Sequence, residues 1–189
     1  MQLVLTRGLP QATAVTDTDR EIAQIYAENA DFVWRALHHL GARDADLEDL
    51  LQEVFLVVHR KLSSFDGRSR ITTWLFGICL RVVARQRRRA YFRFERPTPE
   101  VPERAHARTP EDELSDGQRA RVLEGALARL SLEQRAVFVL FELEGKSCQE
   151  IAELVAAPVG TVYSRLHHAR KDVKKALAKA GFAIPGDSP

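Results

Sequence analysis

Hydrophobic positions recur at helical spacing along most of the chain. Between about residues 20 and 40 they lie three or four residues apart, and the run stops at a glycine, Gly41. Its members are Ile22, Ile25, Tyr26, Phe32, Val33, Leu37 and Leu40. A second run keeps the period, with Leu47, Leu50, Leu51, Val54, Val58 and Leu62 turned inward. A third passes through Thr72, Trp74, Leu75, Ile78 and Val82. Since no segment shows the strand period, the pattern predicts an all-α fold.

The second half of the chain carries start and stop signals for short helices. In "SLEQRAVFVLFELEG", Ser131 and Gln134 form a capping pair, and a glycine ends the helix. In "GKSCQEIAELVAAP", Ser147 and Glu150 have the spacing of a capping box, and Pro158 suits the first position of the helix that follows. Two short helices joined by a turn of about three residues predict a helix-turn-helix.

The last of these helices is amphipathic. On a helical wheel one apolar stripe collects Val162, Leu166, Ala169 and Val173. The opposite side carries Ser164, His168, Lys171 and Lys175, flanked by Thr161 and His167. A helix that offers hydroxyl, imidazole and ammonium groups can enter the DNA major groove. Most amphipathic helices of this kind are solvated faces, so the segment that precedes the helix decides in favour of a helix-turn-helix over a generic helical hairpin.

Charge is strongly segregated, although the net charge of the 189 residues is only +2. Residues 81–96 hold seven arginines and one glutamate, and residues 161–179 hold six cations and one aspartate. Between them, residues 97–117 carry six acids and two arginines. Two basic blocks around an acidic spacer predict two contacts with one polyanion. Prolines forbid continuous helix in the spacer, so we predict helical domains at 20–96 and 116–182, a linker at 97–115, and tails at 1–19 and 183–189.

The sequence gives little support for a metal site, a cofactor site or a membrane segment. Cys79 and Cys148 lack metal-ligand spacing and are interpreted as reduced cysteines of a cytoplasmic protein. No run reaches the roughly 18 apolar residues of a membrane span, and the N-terminus lacks a signal pattern. The neighbours His167 and His168 point about 100° apart on a helix, which suits a shared metal ion poorly. We therefore predict no cofactor, no metal and no membrane insertion.

Two segments resemble bacterial sigma factors of the extracytoplasmic-function (ECF) group. "DLEDLLQEVFLVVHRKLSSFDGRSRITTWLFGICLRVVARQRRR" is similar to their region two, and "LSLEQRAVFVLFELEGKSCQEIAELVAAPVGTVYSRLHHARKDV" to their region four. The matches occur in the family's order and cover about 25–180. The resemblance implies a subunit that binds core RNA polymerase, directs it to promoters and helps to open the duplex. It leaves an anti-sigma factor open as a further partner.

The resemblance also assigns residues. The face that would dock on the clamp helices of the polymerase carries Asp49, Gln52, Glu53 and Phe55. A carboxylate row beside an apolar one suits a basic, partly apolar helical partner.

The turn "FDGRSRITTW" corresponds to the place where the family holds single-stranded bases of the minus-ten element. An unstacked base needs a loop, π-faces and a cationic track. The residues that can supply these are Phe65, Gly67, Arg68, Ser69, Arg70 and Trp74, with Arg81, Arg85, Arg87, Arg88 and Arg89 along the backbone. Trp74 has a core position as its alternative. Arg81 and Arg85 depart from the family's usual residues, so base preference cannot be copied from relatives.

In region four the wheel and the resemblance agree on a face for the minus-thirty-five element. It comprises Thr161, Tyr163, Ser164, His167, His168 and Lys171, with Arg165 and Arg170 as flanking phosphate contacts. Ala156 stands where relatives often carry glycine. If that position needs left-handed φ, alanine costs about 1 kcal/mol.

Two other functions are alternatives to the sigma factor. A helix-turn-helix transcription factor would bind duplex operators and use its first domain for sensing or dimerisation. The arginine-rich helix after an aromatic loop argues against an enclosed, apolar sensor pocket. An enzyme is disfavoured because the sequence has no phosphate-binding glycine loop, metal-ligand cluster or nucleophile elbow.

Overall fold

The computed structural model describes residues 17–93 and 114–182, and both segments are helical without strands. The first domain contains α1 (Asp17–His39), α2 (Leu47–Lys61) and α3 (Ile71–Arg93). The second contains α4 (Leu114–Leu127), α5 (Leu132–Phe138), α6 (Cys148–Leu154) and α7 (Val159–Lys179). Short 3-10 turns at Asp44–Asp46 and Leu62–Ser64 flank α2. Most of the predicted linker and tails lies outside the described residues.

The first domain packs its three helices around a core that the apolar period predicted. All six inward positions of the second apolar run, the last of them in the turn after α2, are buried: Leu47, Leu50, Leu51, Val54, Val58 and Leu62. Full burial of such a side chain contributes about 1.5–3 kcal/mol, so this face holds α2 against its neighbours. Tyr26 belongs to the apolar run of α1 but lies at the surface, where its ring contacts that of Phe55 with centroids 4.6 Å apart.

Both predicted capping boxes of the second domain are confirmed. The Ser131 hydroxyl accepts from the Gln134 backbone N–H at 3.2 Å, and the Gln134 side chain accepts from the Ser131 N–H at 3.1 Å. Ser147 and Glu150 repeat this exchange at 3.3 and 2.8 Å. The hydrogen bonds from Ser147 lower the pKa of the Glu150 carboxyl. Helices α5 and α6 therefore begin where the sequence signals placed them.

Two details of the second domain differ from the expected pattern. A wider, π-helical turn over Val139–Leu143 extends α5 until Gly145, whose φ of +63° ends the helix. The turn between α6 and α7 has four residues, and Pro158 caps α7 instead of occupying its first position. The predicted apolar stripe of α7 is buried at all four positions: Val162, Leu166, Ala169 and Val173.

The buried side chains of the two domains form one continuous cluster. It runs from the core of α1, α2 and α3 to Ala136, Val137, Cys148 and Ile151 of the second domain. Helix α6 packs directly on α3. The two domains are thus in close contact in this structure, and Ala126, Leu127, Leu130 and Phe138 add a smaller cluster against α7.

Candidate nucleic-acid and protein interfaces

One face of α2 is exposed and carries both acidic and apolar groups. Asp49 and Gln52 are exposed, whereas Glu53 is half-buried and forms an ion pair with Arg85 of α3. Leu56 lies between them on the wheel and is 57% exposed. Sequence reasoning missed Leu56, although its position one turn after Gln52 on the polar side was a usable signal.

Phe55 was predicted on the same surface, and the structure places its side chain in the core at 8% exposure. Its ring lies under Tyr26, which is 45% exposed. The exposed ring in this area is therefore that of Tyr26, and Phe55 supports it from below.

The loop between α2 and α3 is open to solvent. Gly67, Arg68, Ser69 and Arg70 are exposed, and Gly67 has a φ of +70°. The Asp66 carboxylate accepts from the Arg68 backbone N–H at 3.1 Å, which fixes the start of the loop. Phe65 and Trp74 lie at the edges of the loop. Their ring centroids are 5.0 Å apart, and both side chains are partly buried. The structure thus brings together the two aromatic residues that the sequence singled out.

The arginines of α3 point in different directions. Arg81, Arg88 and Arg89 are exposed, as a phosphate track requires. Arg87 instead donates to the Leu40 carbonyl at 3.0 Å, at the end of α1. Arg85 is occupied by Glu53. The basic block therefore divides between a surface track and contacts inside the protein.

The polar side of α7 is exposed over three turns. Tyr163, Ser164, His167, His168 and Lys171 are all accessible, and Thr161 and Arg165 are half-buried beside them. Val159, which was not predicted, is 38% exposed one turn before Tyr163. The surface that results combines hydroxyl, imidazole and ammonium groups with one phenol ring, which are the types that contact base edges and phosphates.

Arg170 is held within the second domain. Its Nε donates to the Glu142 carboxylate at 2.5 Å, and its guanidinium lies 4.7 Å from the centroid of the Phe141 ring. A phosphate contact by Arg170 would have to compete with this carboxylate.

Within residues 17–93 and 114–182, no group of three or more His, Cys, Asp or Glu side chains could hold a metal ion. The ring centroids of His167 and His168 are 5.7 Å apart, and the ring planes are inclined at 74°. Burial raises the pKa of the Cys79 thiol to about 12, so this group is a protonated core residue. Across those same two segments, the helices are too short or too polar to span a membrane.

Comparison with known proteins agrees with the two-domain arrangement. The model of sigma-70 region 2 matches residues 25–93, and that of sigma-70 region 4 matches residues 120–173. The ECF RNA polymerase sigma factor SigE of Mycolicibacterium smegmatis is 35% identical over 184 residues, covering 90% of this chain and 69% of SigE. The chain belongs to the ECF sigma factors. As a member it binds core RNA polymerase and directs it to promoter DNA.

This chain also matches nearly the full length of two other sigma factors. The RNA polymerase sigma factor YlaC of Bacillus subtilis is 31% identical over 83% of this chain and 90% of YlaC. The sigma factor RpoE of Bartonella quintana, solved with the anti-sigma factor NepR, superposes with a TM-score of 0.65. The two sequences are 23% identical, and the superposition covers 84% of this chain and 98% of the RpoE chain. The region 2 match includes α2 and the α2–α3 loop, and the region 4 match includes the polar face of α7.

Proposed function

We propose that the exposed face of α2 is the polymerase-docking surface of this sigma factor, formed by Asp49, Gln52 and Leu56. An exposed leucine between polar residues gives an apolar contact, and the carboxylate adds electrostatic complementarity to a basic partner. Glu53 borders this surface but is engaged by Arg85.

The α2–α3 loop and the exposed arginines of α3 are proposed to hold the melted minus-ten strand. The open loop at Arg68 and Ser69 can admit an unstacked base, and the paired rings of Phe65 and Trp74 offer a π-face beside it. Arg81 and Arg88 continue the cationic track along α3.

The polar face of α7 is proposed to read the minus-thirty-five element in the major groove. The observation that carries this assignment is the exposure of Ser164, His168 and Lys171 on successive turns of a helix whose opposite stripe is buried. A four-residue turn joins this helix to α6, on which it packs, so its polar face is presented as a rigid unit.

The docking surface can be tested by capture of core RNA polymerase on the immobilised chain, followed by transcription from a supercoiled promoter library. Asp49→Lys and Leu56→Asp should each reduce capture about tenfold or more, because each places an unfavourable charge at the centre of the contact. Asp31→Lys reverses an exposed carboxylate on α1 and serves as the matched control.

Loss of capture in both docking variants, with redirected initiation by the parent and the Asp31 variant, supports the proposal. Equal capture by all variants would contradict the docking surface. If the parent chain leaves initiation sites unchanged while binding duplex promoter DNA, an operator-binding factor would be the better assignment.

We further propose that this sigma factor acts by binding and carries out no reaction of its own, and that it works in the cytoplasm with polymerase and chromosome. The matched regions are both binding modules. The complex of RpoE with NepR suggests an anti-sigma factor as another class of partner. Capture from the native cell, in the presence and absence of core polymerase, would test that class.

A further inference from the structure

Two large apolar side chains are exposed in the first two turns of α7. Val159 is 38% exposed and Tyr163 is 56% exposed. They are four residues apart, so they lie next to each other on one face of the helix. In the described part of the second domain, Leu143 is the one other large apolar side chain that is exposed. Exposed apolar surface is therefore concentrated near the N-terminus of α7.

This apolar pair forms one edge of the exposed surface of α7. At about 100° per residue, Tyr163 lies roughly 90° from the centre of the buried stripe. Ser164 and His168 lie on the opposite edge of the exposed arc, about 100–140° from Tyr163. His167 and Lys171 lie between the two edges. The helix thus presents an apolar edge and a polar edge to anything that binds along its exposed side.

A glycine leaves open the space between the two edges in the first turn. Gly160 is the second residue of α7, and a Cβ there would meet no atom within 4 Å. Its backbone is helical with no left-handed φ, so the conformation does not require glycine. Glycine is also less favourable than alanine within a helix. The missing side chain therefore provides room for another molecule to approach the first turn of α7 closely.

The chemistry of this edge fits one particular group in duplex DNA. Along the base edges of the major groove, the apolar group is the 5-methyl of thymine. Contact between this methyl group and the side chains of Val159 and Tyr163 removes apolar surface from water on both sides. In helix-turn-helix proteins the N-terminal residues of the second helix contact base edges, and these two side chains belong to the first and fifth residues of α7. Lys171 and Lys175, exposed on later turns, attract the phosphates of the same duplex.

We propose that Val159 and Tyr163 select a thymine in the minus-thirty-five element by packing on its 5-methyl group, while Gly160 admits the base edge to the first turn of α7. The inference rests on the proposed assignment of α7 to that element. It adds a determinant that Ser164 and His168 do not supply, because hydroxyl and imidazole groups recognise hydrogen-bond donors and acceptors. The two edges of the helix then recognise different base pairs by different chemistry.

Deoxyuridine tests this contact directly, because it lacks only the 5-methyl group of thymidine and keeps every hydrogen-bonding group. The probe is a duplex promoter recovered from the supercoiled library, in which each minus-thirty-five thymine of either strand is replaced in turn. Binding to the complex of the chain with core polymerase is measured in competition with the unmodified duplex. At one thymine the replacement should weaken binding about fourfold, which corresponds to the burial of one methyl-sized group.

Variants of the apolar pair should abolish this difference. For Val159→Ala and Tyr163→Ala, deoxyuridine at the sensitive position should bind nearly as well as thymidine. Tyr163→Phe keeps the ring and should retain the effect of the parent chain. Leu143→Ala is the matched control, because it removes an exposed apolar side chain of the same domain outside α7 and should also retain the effect. All three positions are exposed, and circular dichroism checks that the helices persist.

Gly160→Ala tests the close approach. The added methyl group has free space within the protein, and alanine favours the helix, so stability in urea should not fall. Promoter affinity should fall, because the methyl group stands between the helix and the base edge. Unchanged affinity would contradict the close approach and, with it, the thymine contact.

The thymine contact is also overturned if no deoxyuridine replacement weakens binding by the parent chain, or if the recovered elements contain no A·T pair. It is equally overturned if the loss persists in both alanine variants. Reduced capture of core polymerase by Val159→Ala and Tyr163→Ala in the absence of DNA would assign the pair to a protein contact instead.

Failure of the proposed role of α7 has a different signature. In that case Ser164→Ala and His168→Ala would also leave the preference among minus-thirty-five variants unchanged. If these two variants alter the preference while deoxyuridine has no effect at any position, α7 reads the element by its polar edge alone, and only the thymine contact is wrong.

Discussion

The Glu53 carboxylate of α2 forms an ion pair with the Arg85 guanidinium of α3. Glu53 borders the proposed polymerase-docking face, and Arg85 belongs to the proposed phosphate track. The pair therefore links the two surfaces within one domain, and a change at either residue affects both. Reversal of Glu53 to lysine would be a poor test of docking alone.

Glu53→Gln should release Arg85 for DNA. The side chains of the pair are 30% and 41% exposed, so the pair contributes only about 0.2–1 kcal/mol, and we expect about two- to fivefold tighter binding of a minus-ten strand. Fluorescence anisotropy of a labelled minus-ten strand measures this affinity. Asp49→Asn removes a charge one turn away and should have less effect. Equal gains in the two variants would indicate a general charge effect and no specific competition.

Replacement of Arg68 and Ser69 by alanine should impair open-complex formation more than closed-promoter binding. Both residues lie in the exposed loop beside the Phe65–Trp74 ring pair, which suits an unstacked base. Permanganate reactivity of the melted region reports opening, and a gel-shift assay with duplex promoter reports closed binding. Equal losses at both steps, or none at either, would argue that the loop does not hold the melted strand.

Ala156→Gly should stabilise the second domain. Ala156 has a φ of +51°, as the sequence suggested, and the left-handed conformation costs alanine about 1–2 kcal/mol. The greater freedom of glycine in the unfolded chain offsets about 0.5–1 kcal/mol, which leaves a net gain of roughly 0.5 kcal/mol. Urea unfolding of the full chain measures it. Ala157→Gly in the same turn is the control and should lower the free energy of unfolding. If both variants are less stable than the parent chain, the strain at Ala156 is contradicted.

Local periodicity predicted the helices, the buried stripes of α2 and α7, and both capping boxes, because each depends on residues close in sequence. The burial of Phe55 was harder to predict. The helical wheel places its neighbour Leu56 on the polar side of α2, whereas Phe55 is covered by packing on Tyr26 of α1. Nothing in the sequence indicated that Arg135 would be buried. Its burial depends on the carbonyls of His38 and His39, almost a hundred residues earlier in the chain.

Substitutions on α7 should separate base contacts from phosphate contacts. Ser164 and His168 lie on successive turns of the exposed face, following Thr161 at the N-terminal end that usually meets base edges. A base-edge contact carries about 1–3 kcal/mol of discrimination, whereas loss of a phosphate contact weakens all sequences alike and reduces the salt dependence. Ser164→Ala and His168→Ala should relax specificity at particular minus-thirty-five positions, and Lys175→Ala should lower affinity for every promoter.

The measurement is binding of the polymerase complex to promoters that differ by single bases, repeated at two salt concentrations. A contact with a base edge neutralises no phosphate, so a base-reading His168 alters the ranking of promoters while the salt slope stays constant. Lys175→Ala is the matched comparison for a phosphate contact. It should leave the ranking of promoters unchanged and reduce the slope of log affinity against log salt concentration by about one. If His168→Ala reproduces the behaviour of Lys175→Ala, His168 contacts the backbone. The helix would then lie in the groove with its Tyr163 and Val159 side towards the bases.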